Sequence, residues 1–176
     1  MGWQRRAEQL RREAALHLPL QRLAEAATRA GVGTLVVTRL QPPPLFDEQS
    51  SYSIGCVTID PTNPHVIWVG TGENVGGRHV GFGDGVYRSR DAGASWENLG
   101  LKDSQHISKI VVHPEEPDVV WVAAQGPLWS KGGDRGLFKT TDGGKTWAKV
   151  LGAGEWTGVT DVAIDPRGTY RFAGWV

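Results

Sequence analysis

The feature that most constrains this chain is an eight-residue stretch, Ser89-Arg90-Asp91-Ala92-Gly93-Ala94-Ser95-Trp96, which returns as Thr140-Thr141-Asp142-Gly143-Gly144-Lys145-Thr146-Trp147, 51 residues later (142 − 91). Each copy follows a short strand-like run, Gly85-Val86-Tyr87-Arg88 or Gly136-Leu137-Phe138-Lys139. Hydroxyl residue, Asp, Gly and hydroxyl at alternate positions predict a hairpin turn. The Asp carboxylate accepts backbone N–H groups two residues on, the glycine takes a positive φ, and the hydroxyls bond across the loop. The Trp then opens the outgoing strand and packs on neighbouring strands. Ser89, Asp91, Gly93, Ser95 and Trp96, with Thr140, Asp142, Gly144, Thr146 and Trp147, are therefore expected to be structural.

The periodicity extends beyond the turn. Gly55-Cys56-Val57-Thr58-Ile59-Asp60-Pro61 corresponds to Lys109-Ile110-Val111-Val112-His113-Pro114, and Val66-Ile67-Trp68-Val69 to Val119-Val120-Trp121-Val122. Eight β-runs result: 54–59, 65–71, 85–90 and 96–99, then 108–112, 118–125, 136–140 and 147–151. Four antiparallel strands per unit of just over fifty residues describe a propeller blade. A third unit opens at Val159 and its Pro166 falls 52 after Pro114 (166 − 114), but residues 168–176 do not repeat the Val-x-Trp-Val strand. The predicted fold class is all-β, a β-propeller fragment of two four-stranded blades (54–99 and 108–151) with partial flanking blades (the last at 159–176), preceded by an α-helical segment.

That segment, residues 1–40, has a different composition. Arg5, Arg6, Arg11, Arg12, Arg22 and Arg29 alternate with Ala and Leu, Ala7, Leu10 and Ala14 suit helical spacing, Pro19 interrupts, and Gly31 stops the pattern. Charged residues break any apolar core a signal peptide needs. Gly33 to Thr38 suits a strand, Pro42-Pro43-Pro44 marks a break, and Leu45-Phe46 falls where the outer strand of a preceding blade ends.

Charge and cysteine content narrow the function. The formal net charge is +0, so nucleic acid gains no general electrostatic attraction. No apolar run is long enough to span a membrane. The lone Cys56 lies in a β-run and reads as a small buried hydrophobe.

The repeated Ser/Thr-x-Asp-x-Gly-x-Ser/Thr-Trp motif, with Val66-Ile67-Trp68-Val69-Gly70-Thr71-Gly72-Glu73 ahead of it, resembles the Asp-box (bacterial neuraminidase) repeat superfamily. Gly70-Thr71-Gly72-Glu73-Asn74, Gly83-Asp84-Gly85-Val86-Tyr87 and Asp103-Ser104-Gln105-His106-Ile107 are similar to bacterial proteins with a sortilin-type repeat region, often labelled glycosyl hydrolases. The resemblance covers residues 45–167 and implies a propeller, exported or periplasmic. Two blades and a piece do not close a ring, which takes at least about four. The expected partners are therefore further blades, or self-association through open sheet edges, besides a ligand.

In an up-and-down blade the aspartate turns share one pole, and the second-to-third loops and interblade connections share the other. That second pole gathers the candidate binding residues Glu73, Asn74, Arg78, His79, Gln105, His106, Gln125, Trp129, Arg135 and Glu155, with Lys131, Asp134 and Trp156 beside them. Hydrolysis of a glycan needs two carboxylates across about 5 to 9.5 Å, for which Glu73, Asp134 and Glu155 are placed; solvated loop charges are the simpler reading. Trp129 and Trp156 suit stacking on sugar or peptide, or anchoring of their loops. His79 and His106 are too few for a zinc site, and neither Gly81-Phe82-Gly83-Asp84-Gly85 nor Gly143-Gly144-Lys145-Thr146 opens a helix as a phosphate loop does, so no cofactor or metal is expected. Binding of a protein, peptide or glycan without catalysis is the favoured function; a piece of a sialidase- or xyloglucanase-like glycosidase is the alternative. Arg78 and Arg135 are few for the arginine cluster a sialidase needs.

Overall fold

A computed structural model describes residues 45–74 and 80–165, and the backbone of 170–175. The expected helix over 1–40, the strand at 33–38 and the candidate residues Arg78 and His79 lie outside the described residues.

Two four-stranded antiparallel sheets follow one another, each with its strands side by side in chain order. The first blade contains β1 (Ile54–Ile59), β2 (Ile67–Thr71), β3 (Val86–Ser89) and β4 (Glu97–Asn98). The second contains β5 (Ile107–Val112), β6 (Val120–Ala124), β7 (Gly136–Thr140) and β8 (Ala148–Leu151). In a third sheet β9 (Val159–Ile164) pairs with β10 (Tyr170–Trp175), Val162 opposite Phe172. This last strand departs from the sequence reading, which found no second strand after residue 167. The Trp of the earlier blades is replaced there by Arg171, yet antiparallel pairing needs only the backbone. The architecture is that of consecutive propeller blades.

The core lies between sheets. β6 is buried on both faces and its residues alternate: Val120, Val122 and Ala124 join a cluster with Trp68, Val86 and Leu99 of the first blade, while Trp121 and Ala123 join one with Leu137, Val159 and Val162. In β5, Ile107 and Ile110 reach the same cluster although three residues apart. An irregularity in the ladder between Ile107 and Lys109 resets the alternation, and the same shift occurs between Ile54 and Cys56. Burial of side chains such as Trp121 and Ile110, each worth about 1.5–3 kcal/mol, drives one blade onto the next.

Candidate functional site

The two aspartate turns make the same set of hydrogen bonds. In the first, the Ser89 hydroxyl donates to Asp91 Oδ1 at 2.8 Å and accepts the Gly93 amide at 2.7 Å; the Ser95 amide and hydroxyl donate to the two Asp91 carboxylate oxygens at 2.8 and 2.7 Å. In the second, Thr140, Asp142, Gly144 and Thr146 reproduce these bonds at 2.7, 2.9, 3.0 and 2.6 Å. The carboxylate thus takes amides four residues on, where the sequence alone pointed to nearer ones. Gly93 and Gly144 hold φ of 92° and 89°, as the turn requires. Bonds from Ser95 and then Ser89 lower the Asp91 pKa to about 2, and those from Thr146 and Thr140 lower that of Asp142 further. Both oxygens of each carboxylate accept hydrogen bonds from within the turn, which suits a hairpin staple. His113 is likewise a turn residue: its Nδ1 accepts the Glu115 and Glu116 amides at 3.2 and 3.0 Å, much as Asp60 Oδ1 accepts those of Thr62 and Asn63.

Strand directions put the opposite pole at residues 51–53, 72–74, 80–85, 100–106, 125–135 and 152–158. There the sequence candidates divide into buried and exposed groups. His106 is fully buried. Its Nδ1 stands 3.0 Å from the Glu73 carbonyl, which only accepts, so Nδ1 carries the proton. Burial holds the His106 pKa below its ordinary 6.5, and its Nε2 has no hydrogen-bond partner among the described residues. Gln125, also buried, donates its amide to Asn74, whose own amide lies 3.5 Å from the Ser108 carbonyl. The Gln105 carbonyl receives the Gly83 amide at 2.8 Å.

Arg135 does not present its charge to a ligand. It is buried, and its guanidinium donates to the carbonyls of Gly132, Pro127 and Ser130, each at 2.7 Å, curling the 126–135 loop around itself. Asp134 accepts the Asp103 amide at 3.1 Å. The Glu155 carboxylate lies 3.5 Å from Lys131 Nζ, and its carbonyl accepts the Gly132 amide at 2.8 Å, joining the 126–135 and 152–158 loops.

Above this fastened layer stand aromatic rings. Tyr52, Phe82, Trp129 and Trp156 are each more than half exposed, and all four lie at this pole. Trp129 and Trp156 sit on the two loops that Glu155 joins. Phe82 meets the buried His106 ring edge-on at 5.8 Å, and Tyr52 lies between Ser51 and Ser53, whose hydroxyls donate to the Phe82 and Gly81 carbonyls. Sequence reasoning missed Tyr52 and Phe82, because nothing in the local pattern separates an exposed ring from a packed one. Among the described residues no three His, Cys, Asp or Glu side chains gather as a metal site, and no helix is long and apolar enough to cross a membrane. Burial pushes the Cys56 thiol up to about 11, which keeps it protonated and unreactive at neutral pH.

No family model matches the sequence. No curated protein matches it. Among solved structures the chain is similar to an ancestral GH74 enzyme, at 19% identity and TM-score 0.49 over 65% of this chain and 15% of that one. It is similar to the GH74 enzyme of Niastella koreensis at 16% identity and TM-score 0.45, over 64% of this chain and 16% of that one. The GH74 xyloglucanase of Xanthomonas campestris gives 17% identity and TM-score 0.46, over 68% and 19%. The chain spans less than a fifth of the length of each.

Proposed function

We propose that this chain is part of a non-catalytic Asp-box propeller, of the sortilin-like kind, that binds a glycan through the pole opposite its aspartate turns. The observation that carries the reading is the gathering of Tyr52, Phe82, Trp129 and Trp156, all exposed, on that pole. Flat rings on tethered loops offer stacking area at little cost in side-chain entropy. Two of the acidic residues there already have partners: Asp134 accepts the Asp103 amide, and the Glu155 carboxylate lies 3.5 Å from Lys131 Nζ in an exposed pair. That use of the acids favours binding over the glycosidase alternative, and the shared bond set of the two turns supports the Asp-box assignment.

Affinity electrophoresis of the full chain through gels containing soluble polysaccharides tests the reading, with release of reducing ends measured in parallel. Retardation by at least one polysaccharide is expected, without hydrolysis. Trp129→Ala and Trp156→Ala should each weaken it about tenfold, the equivalent of about 1.4 kcal/mol. Absence of retardation by every polysaccharide, or retardation indifferent to both substitutions, rejects glycan binding at this pole. Release of reducing ends rejects its non-catalytic character.

A further inference from the structure

The repeat places Ser53, His106 and Gly158 at one position of three successive sheets, 53 and 52 residues apart (106 − 53; 158 − 106). Ser53 donates its hydroxyl to the Gly81 carbonyl, and Gly158 has no side chain, so the fold needs no imidazole at this position. His106 nevertheless puts one there, 0% exposed. Three buried side-chain nitrogens lack a hydrogen-bond partner among the described residues: Trp68 Nε1, Arg88 Nε and His106 Nε2. The first two belong to the stacked pair of the first blade, Arg88 over Trp68 at 5.3 Å. His106 Nε2 lies at the pole with the exposed rings. Because the Nδ1 proton is given to the Glu73 carbonyl, Nε2 of the neutral ring can only accept. A buried acceptor left unmatched is costly to a fold and rare in one.

We infer that His106 Nε2 is the acceptor of a subsite covered by the Phe82 ring, and that it takes a hydroxyl of the bound glycan; for the source of that hydroxyl this rests on the glycan-binding pole proposed above. Phe82 meets the His106 ring edge-on, with centroids 5.8 Å apart, and is itself 55% exposed. The backbone that carries it is pinned on both sides. The Gly81 carbonyl accepts the Glu73 amide at 3.0 Å and the Ser53 hydroxyl at 3.1 Å, and the Gly83 amide donates to the Gln105 carbonyl at 2.8 Å. A Cβ on Gly83 would lie 2.2 Å from the Thr71 carbonyl carbon, so the segment is packed against the end of β2. The ring is the part free to turn, and exposed side chains change rotamer within nanoseconds. Polar groups stand beside the imidazole: the Gln125 backbone amide donates to the His106 carbonyl at 2.9 Å, and its side-chain amide donates to Asn74. The lone pair on Nε2 sets the ligand class. It pairs with an O–H or N–H donor, whereas an ionised carboxylate only accepts and gains nothing there. The subsite therefore selects a sugar hydroxyl over an acidic substituent.

Long-range proton–nitrogen NMR of the full wild-type chain at pH 7.5 reads His106 Nε2 directly, the ring being identified by its nuclear Overhauser contact with Phe82. Glycerol is the hydroxyl probe, and dimethyl sulfoxide, which has no O–H to donate, is the control. In plain buffer the nitrogen is expected at the shift of an unbonded lone pair. It should move upfield and saturate with glycerol, and stay in place with dimethyl sulfoxide. A nitrogen already hydrogen-bonded in plain buffer, which identifies a resident water, overturns the inference; so does indifference to glycerol or an equal response to both additives. In the polysaccharide gels, His106→Asn keeps an amide donor toward the Glu73 carbonyl and removes Nε2, and should weaken retardation about tenfold. Retardation equal to wild type overturns the subsite and leaves the glycan reading standing. A wild-type chain that no polysaccharide retards rejects that reading, and the glycerol response then decides the subsite by itself.

Discussion

The indole N–H of Trp147 donates to the backbone carbonyl of Leu99 at 2.8 Å, from the second aspartate turn to the outer end of the first blade. Trp96 makes the same bond at 2.5 Å to Leu45, so Leu45 occupies the place that a preceding outer strand holds. The tryptophan of the repeated motif is thus a latch from each turn to whatever lies before it. Trp147→Phe keeps the ring and removes the donor. We predict a loss of about 1 kcal/mol in urea unfolding, the net worth of one hydrogen bond. Unchanged stability would show that the ring alone makes the latch.

Ala92 and Gly143 occupy equivalent places in the two turns, with φ of 59° and 69°, and each amide is bonded to the adjacent loop, Ala92 to the His65 carbonyl at 2.9 Å and Gly143 to that of Asp118 at 3.0 Å. A left-handed conformation costs a non-glycine residue roughly 1–2 kcal/mol, while glycine loses about 0.4–1 kcal/mol through the unfolded chain. Ala92→Gly should therefore stabilise the protein by about 0.5 kcal/mol. Gly143→Ala should destabilise it by more than about 1 kcal/mol, because the new Cβ would also lie 2.7 Å from Asp118 Oδ1 and 2.9 Å from Arg88 Nη1. Calorimetric midpoints moving in opposite directions are the expected outcome.

Local pattern carried the sequence reading as far as local chemistry decides structure. The aspartate turns and eight strands of the two blades were legible because Asp91 and Asp142 sit in identical spacings beside alternating apolar runs, and Leu45 was placed by counting alone. The bonds of Arg135 were not legible: an arginine in a loop looks like a ligand contact until the loop curls back to offer three carbonyls. Nor was the exposure of Tyr52 and Phe82, which depends on what the neighbouring loops leave uncovered. Arg171 broke the Trp pattern that identified the second strand of a blade, and so concealed β10.

Arg88 is paired across the ladder with Trp68 and lies 5.3 Å above its ring; Lys139 holds the same relation to Trp121 at 5.1 Å. Arg88 also reaches the next blade. Its Nη1 donates to the Gly143 carbonyl, and its Nη2 lies 3.0 Å from Glu97. Glu97 is exposed, so that ion pair contributes little; the buried bond to Gly143 and the stacked stem contribute more. Arg88→Ala should destabilise the protein by about 2–3 kcal/mol, whereas Glu97→Ala should change it by less than about 1 kcal/mol. Equal effects in denaturant unfolding would assign the contribution to the ion pair instead.

Stability should fall with acidity in two separate windows. Burial lowers the His106 pKa in the folded state, so below about 6.5 the unfolded chain binds the proton more readily than the folded one. Stability present above that pH is therefore lost as the pH falls toward the folded value. Asp91 and Asp142 act lower: with folded values beneath the ordinary 3.8, their contribution is whole above that value and disappears as pH falls, for Asp91 toward about 2. Urea midpoints measured from pH 7.5 to 5 isolate the histidine window. His106→Phe loses the bond to the Glu73 carbonyl, and should lower stability at pH 7.5 by about 1 kcal/mol while flattening the decline between pH 6.5 and 5. A slope that survives the substitution would assign the decline to other groups and remove His106 from the acid sensitivity of this fold.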